Sequence, residues 1–147
     1  MIQDFIKLYD RDLNKLSQEI EAFKEEQNIW KTTGNIKNSS GNLCLHLIGN
    51  LSTFICKNLG GFEYTRDREA EFNSKDISRD VLLKQIQALK ISVNETFKKL
   101  QEQDLEKKYP ENLFGYDMTT GFFLIHLAAH LSYHLGQINY LRRILEE

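Results

Sequence analysis

Three of the four histidines in this 147-residue chain lie in one short segment, HLAAHLSYHLGQ, which runs from His126 to Gln137. Histidines at positions i and i+4 of a helix share one face within reach of a single ion, the spacing that HExxH zinc sites use. HLSYH supplies this spacing with His130 and His134. The pair therefore predicts part of a metal site.

A third ligand has to come from elsewhere in the chain. At about 100° per residue, His130 and His134 fall in the middle of the apolar face of this helix, while His126 and Gln137 lie on one edge of it. His126 and His134 are about 12 Å apart along the helix axis, too far to bind the same ion. His46 is the remaining histidine, and it is predicted to face the interior from another helix. The predicted ligands are His46, His130 and His134.

The residue types limit which metal and which chemistry such a site supports. Three neutral imidazoles suit Zn, Ni, Fe or Cu rather than Mg or Ca. They also leave one coordination position open for water or substrate, which is typical of catalytic rather than structural sites.

The spacing of the histidines is also compatible with other interpretations. The imidazoles could be core or edge residues that hydrogen-bond to the backbone and to Asn50 and Gln137, because a buried polar group needs a partner. Histidines from two helices could instead ligate a haem. A di-iron carboxylate site is disfavoured, since no Glu lies three residues before any histidine.

Four helical segments are predicted to position these side chains. Apolar residues at spacings of three and four predict a first helix over about the first 27 residues. Ser39 or Ser40 is placed to cap a second helix, which begins near Gly41 and runs to about Asn58. Gly60 and Gly61 are expected to end it, because glycine adopts a left-handed backbone without strain.

The second half of the chain follows the same pattern. A charged loop, FEYTRDREAEFNSKD, precedes a third helix that Ser78 or Asp80 could cap and that continues through about Gln103. Asp117, Thr119 or Thr120 could cap the fourth helix, which runs to the C-terminus. No alternating strand pattern occurs, so the sequence predicts an all-α, single-domain four-helix bundle over residues 1–147.

Composition narrows the environment and the partners. The 19 Lys and Arg and 21 Asp and Glu residues are interleaved, which gives a net charge of -2 and no patch for nucleic acid or a membrane surface. No segment resembles a signal peptide or a membrane span, so a cytoplasmic protein is expected. Cys44 and Cys56 are 12 residues apart on one predicted helix, about 18 Å, too far for a disulfide.

Three blocks of the sequence, NSSGNLCLHLIGNLSTFI, GGFEYTRDREAEF and HLAAHLSYHLGQINYLRRIL, occur in an order and spacing that resemble the DinB/YfiT-like superfamily of metalloenzymes, in particular a small bacterial branch whose function is unknown. The resemblance implies a four-helix bundle in which His46, His130 and His134 hold a divalent metal, commonly Zn or Ni. It also implies a small-molecule substrate and possible homodimers. Better-studied members of the superfamily use low-molecular-weight thiols and include bacillithiol S-transferases and a mycothiol-dependent isomerase.

Two features belong to this branch rather than to the thiol transferases as a whole, namely His126 and the segment RDREAEF within the loop from Tyr64 to Phe72. His126 could contact a metal ligand or donate a proton near the metal. Arg66 and Arg68 could hold a substrate carboxylate or phosphate, or could instead pair with the loop acids Asp67, Glu69 or Glu71. The sequence thus favours a metal-dependent enzyme, a thiol transferase or a hydrolase, over a noncatalytic binding or dimerising bundle that a metal only stabilises.

Overall fold

The computed structural model describes residues 1–147, and helices make up most of it. Four long helices, α1 (Ile2–Ala22), α2 (Ser40–Leu51), α4 (Arg79–Lys99) and α5 (Thr120–Leu145), are joined by connections that contain the short helix α3 (Arg68–Asn73) and two 3-10 helices, Glu26–Trp30 and Glu102–Glu106. No β-strand is present beyond one isolated bridge between Lys108 and Thr119. The all-α bundle predicted from the sequence is confirmed.

The four long helices surround one continuous hydrophobic core. α1 and α2 lie diagonally opposite each other, since each packs against both α4 and α5. The side-chain contacts show that α2 and α5 run antiparallel. His46 of α2 contacts His130 and His134, whereas Phe54, in the helical segment directly after α2, contacts Phe123, which is earlier in α5. This pairing brings the two histidine-bearing helices side by side.

Side-chain caps fix where three of the helices begin. Ser39, Ser78 and Thr119 each accept a hydrogen bond from the backbone N–H three residues later, at the N-termini of α2, α4 and α5. Each of these serines or threonines is among the caps that the sequence predicts. Such caps stabilise a helix by about 1 kcal/mol because the first N–H groups have no partner within the helix.

Two predicted helix ends are wrong, and tertiary contacts explain both. α1 ends at Ala22 rather than near residue 27, because Phe23 turns into extended backbone and buries its ring in the core. The Arg79 guanidinium donates to the Phe23 carbonyl oxygen at 2.8 Å. α4 ends at Lys99 rather than Gln103, and Gln101 and Asp104 then cap the 3-10 helix that follows.

The segment after α2 is π-helical over Ser52–Lys57, so the helix continues close to its predicted end. In this register the Asn58 N–H donates to the carbonyl oxygens of Thr53 and Ile55 and skips that of Phe54. The Tyr109 hydroxyl donates to the Phe54 carbonyl oxygen at 2.6 Å. π-helical turns often lie near functional sites. Gly61 has a φ of +72°, the left-handed backbone expected there.

The two cysteines form no disulfide, as their separation along one helix predicts. Cys44 and Cys56 are unpaired and buried, and burial raises the pKa of each thiol to about 12. Both thiols are therefore protonated, small core residues rather than nucleophiles. Among the helices, none combines the length and the apolar character that crossing a membrane requires.

Candidate metal centre

Three imidazoles from two helices converge on one point at the α2–α5 interface. His46 Nε2 and His134 Nε2 each lie 3.2 Å from His130 Nε2. The three potential ligand atoms all lie within 4.8 Å of one another, so His46, His130 and His134 form a group that could hold a metal ion. His130 and His134 come together because they are one helical turn apart, whereas His46 reaches them only through the packing of α2 on α5.

The outer nitrogen of His46 is held by a buried acid. His46 Nδ1 lies 3.0 Å from Glu71 Oε1, and the two side chains are only 9% and 6% exposed. Arg66 fixes the same carboxylate by donating from Nε to Glu71 Oε2 at 2.8 Å and from its terminal nitrogen to Oε1 at 3.0 Å. A carboxylate accepts hydrogen bonds, so His46 carries its proton on Nδ1 and directs the Nε2 lone pair toward the other imidazoles.

A glycine gives Glu71 the space to reach this position. A Cβ atom added to Gly49 of α2 would overlap the Glu71 carboxylate. α3 is anchored in turn by Asn42, whose amide nitrogen donates to the carbonyl oxygens of Glu71 and Ser74 at 3.0 and 2.8 Å. The loop between α2 and α4 is therefore packed against α2 so that its acid supports His46.

The outer nitrogen of His134 has a different acceptor. His134 Nδ1 lies 2.7 Å from Oε1 of Gln137, which is three residues further along the same helix. An amide oxygen accepts and does not donate, so the proton again resides on Nδ1 and the Nε2 lone pair faces the group. Hydrogen bonding to the second nitrogen in this way is typical of metal-ligating histidines.

His130, at the centre of the group, is the least satisfied of the three. Its Nδ1 is buried and has no hydrogen-bond partner. Burial, followed by the neighbouring His134 and His46, lowers the pKa of His130 to about 4. Burial also lowers the pKa of His46, against the opposing effect of the hydrogen bond to Glu71. Both imidazoles are therefore neutral near pH 7, the form that binds metals.

The protonation pattern fits a cation at the point of convergence. With the Nδ1 protons of His46 and His134 committed to Glu71 and Gln137, their two Nε2 lone pairs both face His130 Nε2. One proton on His130 Nε2 could align with only one of these two lone pairs. A metal ion, in contrast, accepts a lone pair from each of the three Nε2 atoms. A haem does not fit between imidazole nitrogens 3.2 Å apart.

The other predicted site residues lie around this group in different environments. His126 is exposed and outside the group, with its ring stacked on Phe123, edge-on to Phe114, and 6.4 Å from the His130 ring between centroids. Asn50, one turn after His46, is buried, and its Oδ1 has no partner. Arg66 is bound to Glu71, the pairing within the loop that the sequence leaves open, while the Arg68 guanidinium lies over the Phe72 ring at 6.0 Å.

Neither the place of Glu71 beside His46 nor a helix in this loop is predicted from the sequence. The segment from Arg68 to Asn73 is helical, with Asp67 as its N-cap and two acids in its first turn. An Asp followed by Glu residues is a helix-start pattern, and this signal was present in RDREAEF. What the pattern could not show is that Glu71 faces inward.

Comparisons with known proteins agree with this architecture. The family described as "Protein of unknown function (DUF1572)" matches residues 2–147, and the chain belongs to that family. The structure of this chain is similar to the crystal structure of a DinB-like protein from Bacillus cereus ATCC 10987, with a TM-score of 0.75. The match covers 97% of this chain and 91% of that chain, and the two sequences are 14% identical. No curated protein matches the sequence. The DinB-like fold is thus established.

Proposed function

We propose that this DUF1572 protein is a metal-dependent enzyme that holds Zn or Ni through Nε2 of His46, His130 and His134. The observation that carries the proposal is the convergence of three Nε2 atoms while Glu71 and Gln137 accept the protons on the far side of two of the rings. The chemistry of three neutral imidazoles favours a transition metal and leaves a coordination position open.

The proposed reaction joins the sulfur of a low-molecular-weight thiol to an electrophilic carbon of a small molecule. The thiol proton passes to solvent, a C–S bond forms, and the bond from that carbon to its leaving group, chloride in a chloroalkyl electrophile, breaks. A bound divalent metal would lower the pKa of a thiol at the open position and make it a better nucleophile. The chain's own part is to orient the ligands: Glu71 and Gln137 fix the two rings, and the Arg66 guanidinium holds the Glu71 carboxylate in place. The resemblance to thiol-using relatives supports this choice of substrate over a hydrolytic one.

His126 and Asn50 are proposed to act on the substrate rather than on the metal. His126 is exposed at the level of the turn before His130, and the Phe114 and Phe123 rings hold its imidazole. Asn50 offers an unpaired buried amide oxygen one turn from His46. A proton donor and a hydrogen-bond acceptor at these places could orient a small molecule beside the metal. His126→Gln is expected to lower kcat without loss of metal.

The ligand assignment is tested by measuring bound metal after replacement of one histidine. The wild-type protein and the variants His46→Ala and His126→Ala would be loaded with Zn or Ni and analysed by mass spectrometry of the metal content. His46→Ala should lose the stoichiometric metal, and His126→Ala should keep it. Stoichiometric metal in His46→Ala would reject the proposed ligand set.

The reaction is tested with a thiol and a fluorogenic electrophile. Bacillithiol and monochlorobimane would be incubated with metal-free and metal-loaded protein, and bimane fluorescence would be followed. Only the metal-loaded protein should accelerate the reaction; equal rates would reject metal activation of the thiol. If the loaded protein is inactive but chelation lowers its melting temperature strongly, a noncatalytic metal-stabilised bundle is the better description.

Homodimer formation is a further part of the proposal, and the resemblance supports it. Light scattering across a range of protein concentrations gives the mass of the particle in solution. A constant monomer mass would reject it.

A further inference from the structure

A groove lies next to the proposed metal centre, between α5 and the segment that leads into α2. Its volume is about 530 Å³, within the range of small-molecule sites. Apolar and aromatic side chains form most of the walls, notably Ile36, Leu43, Tyr133, Tyr140 and Ile144. Tyr133 and Tyr140 are 65% and 67% exposed. A ligand in the groove would cover apolar surface that the fold leaves open to water.

The groove shares one wall with the histidine group. His134 and Gln137 line it. Gln137 uses its Oε1 atom to accept from His134 Nδ1, and its amide nitrogen makes no hydrogen bond within the protein. The groove therefore ends on a proposed metal ligand, and Gln137 offers a free N–H donor beside it.

The groove carries a charge of one sign. Lys37 is the single charged side chain among the groove-lining residues, and its ammonium group forms no ion pair in the structure. No carboxylate lines the groove. An anionic group is thus complementary to the groove, because the Lys37 ammonium and the Gln137 amide nitrogen are both hydrogen-bond donors.

We propose that this groove binds the body of the substrate and that the substrate is an amphipathic organic anion. Its apolar, aromatic-sized portion packs between Tyr133, Tyr140 and Ile144, and its carboxylate, sulfonate or phosphate group faces Lys37. The inference rests on the proposed function in that His134 then places the reacting end of the molecule at the metal. Binding in the groove is a property of the walls and does not require the metal.

A matched pair of fluorescent probes tests both parts of the recognition. The probe 8-anilinonaphthalene-1-sulfonate carries a sulfonate, and N-phenyl-1-naphthylamine has the same rings without it. Both are titrated into the full-length protein, and dissociation constants are taken from the fluorescence increase. The sulfonate probe is expected to bind more tightly; equal or weaker binding would overturn the assignment to an anion.

The role of Lys37 is tested by Lys37→Gln, with Lys31→Gln as the control, since Lys31 is also exposed but lies outside the groove. Lys37→Gln should weaken binding of the sulfonate probe about fivefold, the effect of losing one partly exposed ion pair, and leave the neutral probe unchanged. An unchanged affinity for the sulfonate probe would remove Lys37 from the site.

The apolar wall is tested by Ile144→Glu, with Ile91→Glu as the control. The two isoleucines are 49% and 51% exposed on different helices, so neither variant should disturb the core. Ile144→Glu should weaken both probes by about tenfold or more, because a carboxylate replaces apolar contact and repels the anion. Equal effects of the two variants would show that the probes bind elsewhere.

Wild-type protein from which the metal has been removed by a chelator separates this inference from the proposed function. It should bind the sulfonate probe as tightly as the metal-loaded protein does. If the wild-type protein binds no metal but binds the sulfonate probe in a way that depends on Lys37, the proposed function alone is rejected. Bound metal without Lys37-dependent probe binding would reject this inference alone. Light scattering identifies a rival occupant: a dimer whose formation competes with the probe would show that a second copy covers the groove.

Discussion

His46 and His134 both direct Nε2 toward His130, but the two rings are held in contrasting ways. The support of His46 is a buried carboxylate that comes from a different helix 25 residues away in sequence and is itself fixed by Arg66. The support of His134 is an exposed amide three residues further along the same helix. One arrangement is built by tertiary packing and the other by helix geometry.

Because of this difference, substitutions on the two sides should differ in their effects on stability and on the proposed metal binding. A buried carboxylate without its partners is costly, so the Arg66–Glu71–His46 chain has to be complete for the loop to dock on α2. The Gln137 amide remains accessible to water, and its loss leaves nothing buried and unpaired. We therefore expect changes on the α2–α3 side to affect folding and metal binding together, and changes on the α5 side to affect metal binding alone.

The largest effect is expected from Glu71→Ala. It removes the acceptor of His46 and leaves the Arg66 guanidinium, whose side chain is 15% exposed, without its carboxylate. Breaking such a pair should lower the free energy of unfolding by about 3–5 kcal/mol and the metal affinity by about 10- to 100-fold. Urea denaturation and metal titration measure the two effects. Glu69→Ala, an exposed acid of the same helix, is the control, and a similar loss there would refute the assignment.

Metal removal is expected to rank next. If free metal is present at 100 times its Kd, chelation should lower the free energy of unfolding by about 2.7 kcal/mol. Hydrogen exchange would locate the change. Protection should fall more in α5 around His134 than in α2 around His46, because the hydrogen bonds of Glu71 remain. Equal loss on both helices would show that the two supports do not differ as described.

Gly49→Ala should disturb the α2–α3 side without touching a ligand. The added methyl group displaces the Glu71 carboxylate, and overpacking of this kind costs about 1–3 kcal/mol. Gly136→Ala is the matched control, because that helical glycine has no neighbour near its Cβ position and the change should stabilise α5 by up to about 1 kcal/mol. Thermal unfolding measures both. Gly49→Ala should lower the melting temperature and Gly136→Ala should raise it. Shifts of the same sign would contradict the close packing of Glu71 against Gly49.

The smallest effect on stability is expected from Gln137→Ala. It should weaken metal binding by about tenfold, because His134 loses the acceptor that fixes its ring, while the free energy of unfolding changes by less than about 0.5 kcal/mol. Gln137→Glu keeps an acceptor and should restore the affinity. Gln87→Ala, an exposed glutamine of α4, should change neither quantity. A large loss of stability in Gln137→Ala would remove the contrast between the two sides.

Local patterns predict much of the fold because they depend on neighbours in sequence. The apolar periodicity indicates the four long helices, and Ser39, Ser78 and Thr119 mark three of their beginnings. Helix ends were less predictable. α1 ends where the Phe23 ring enters the core and where Arg79, 56 residues away, donates to the Phe23 carbonyl oxygen. No local pattern contains such a contact.

The candidate site shows the same division. The spacing of His130 and His134 places them on one face of the final helix. His46 is the predicted third ligand because it is the one histidine outside that helix. The structure brings these three together. It also adds Glu71, because the orientation of α3 depends on Asn42, on Arg66 and on the absence of a side chain at Gly49.

The sequence by itself determined the helical bundle, the histidine pair one turn apart and the residue types that suit a transition metal. These follow from helical periodicity and from the chemistry of imidazole, which act over one or two turns. The tertiary structure alone decided that a loop acid holds His46, that the Phe114 ring packs against His126 and that a groove opens beside His134. Each of these depends on how distant segments pack, and packing is set by the shape and burial of the whole core rather than by spacing along the chain.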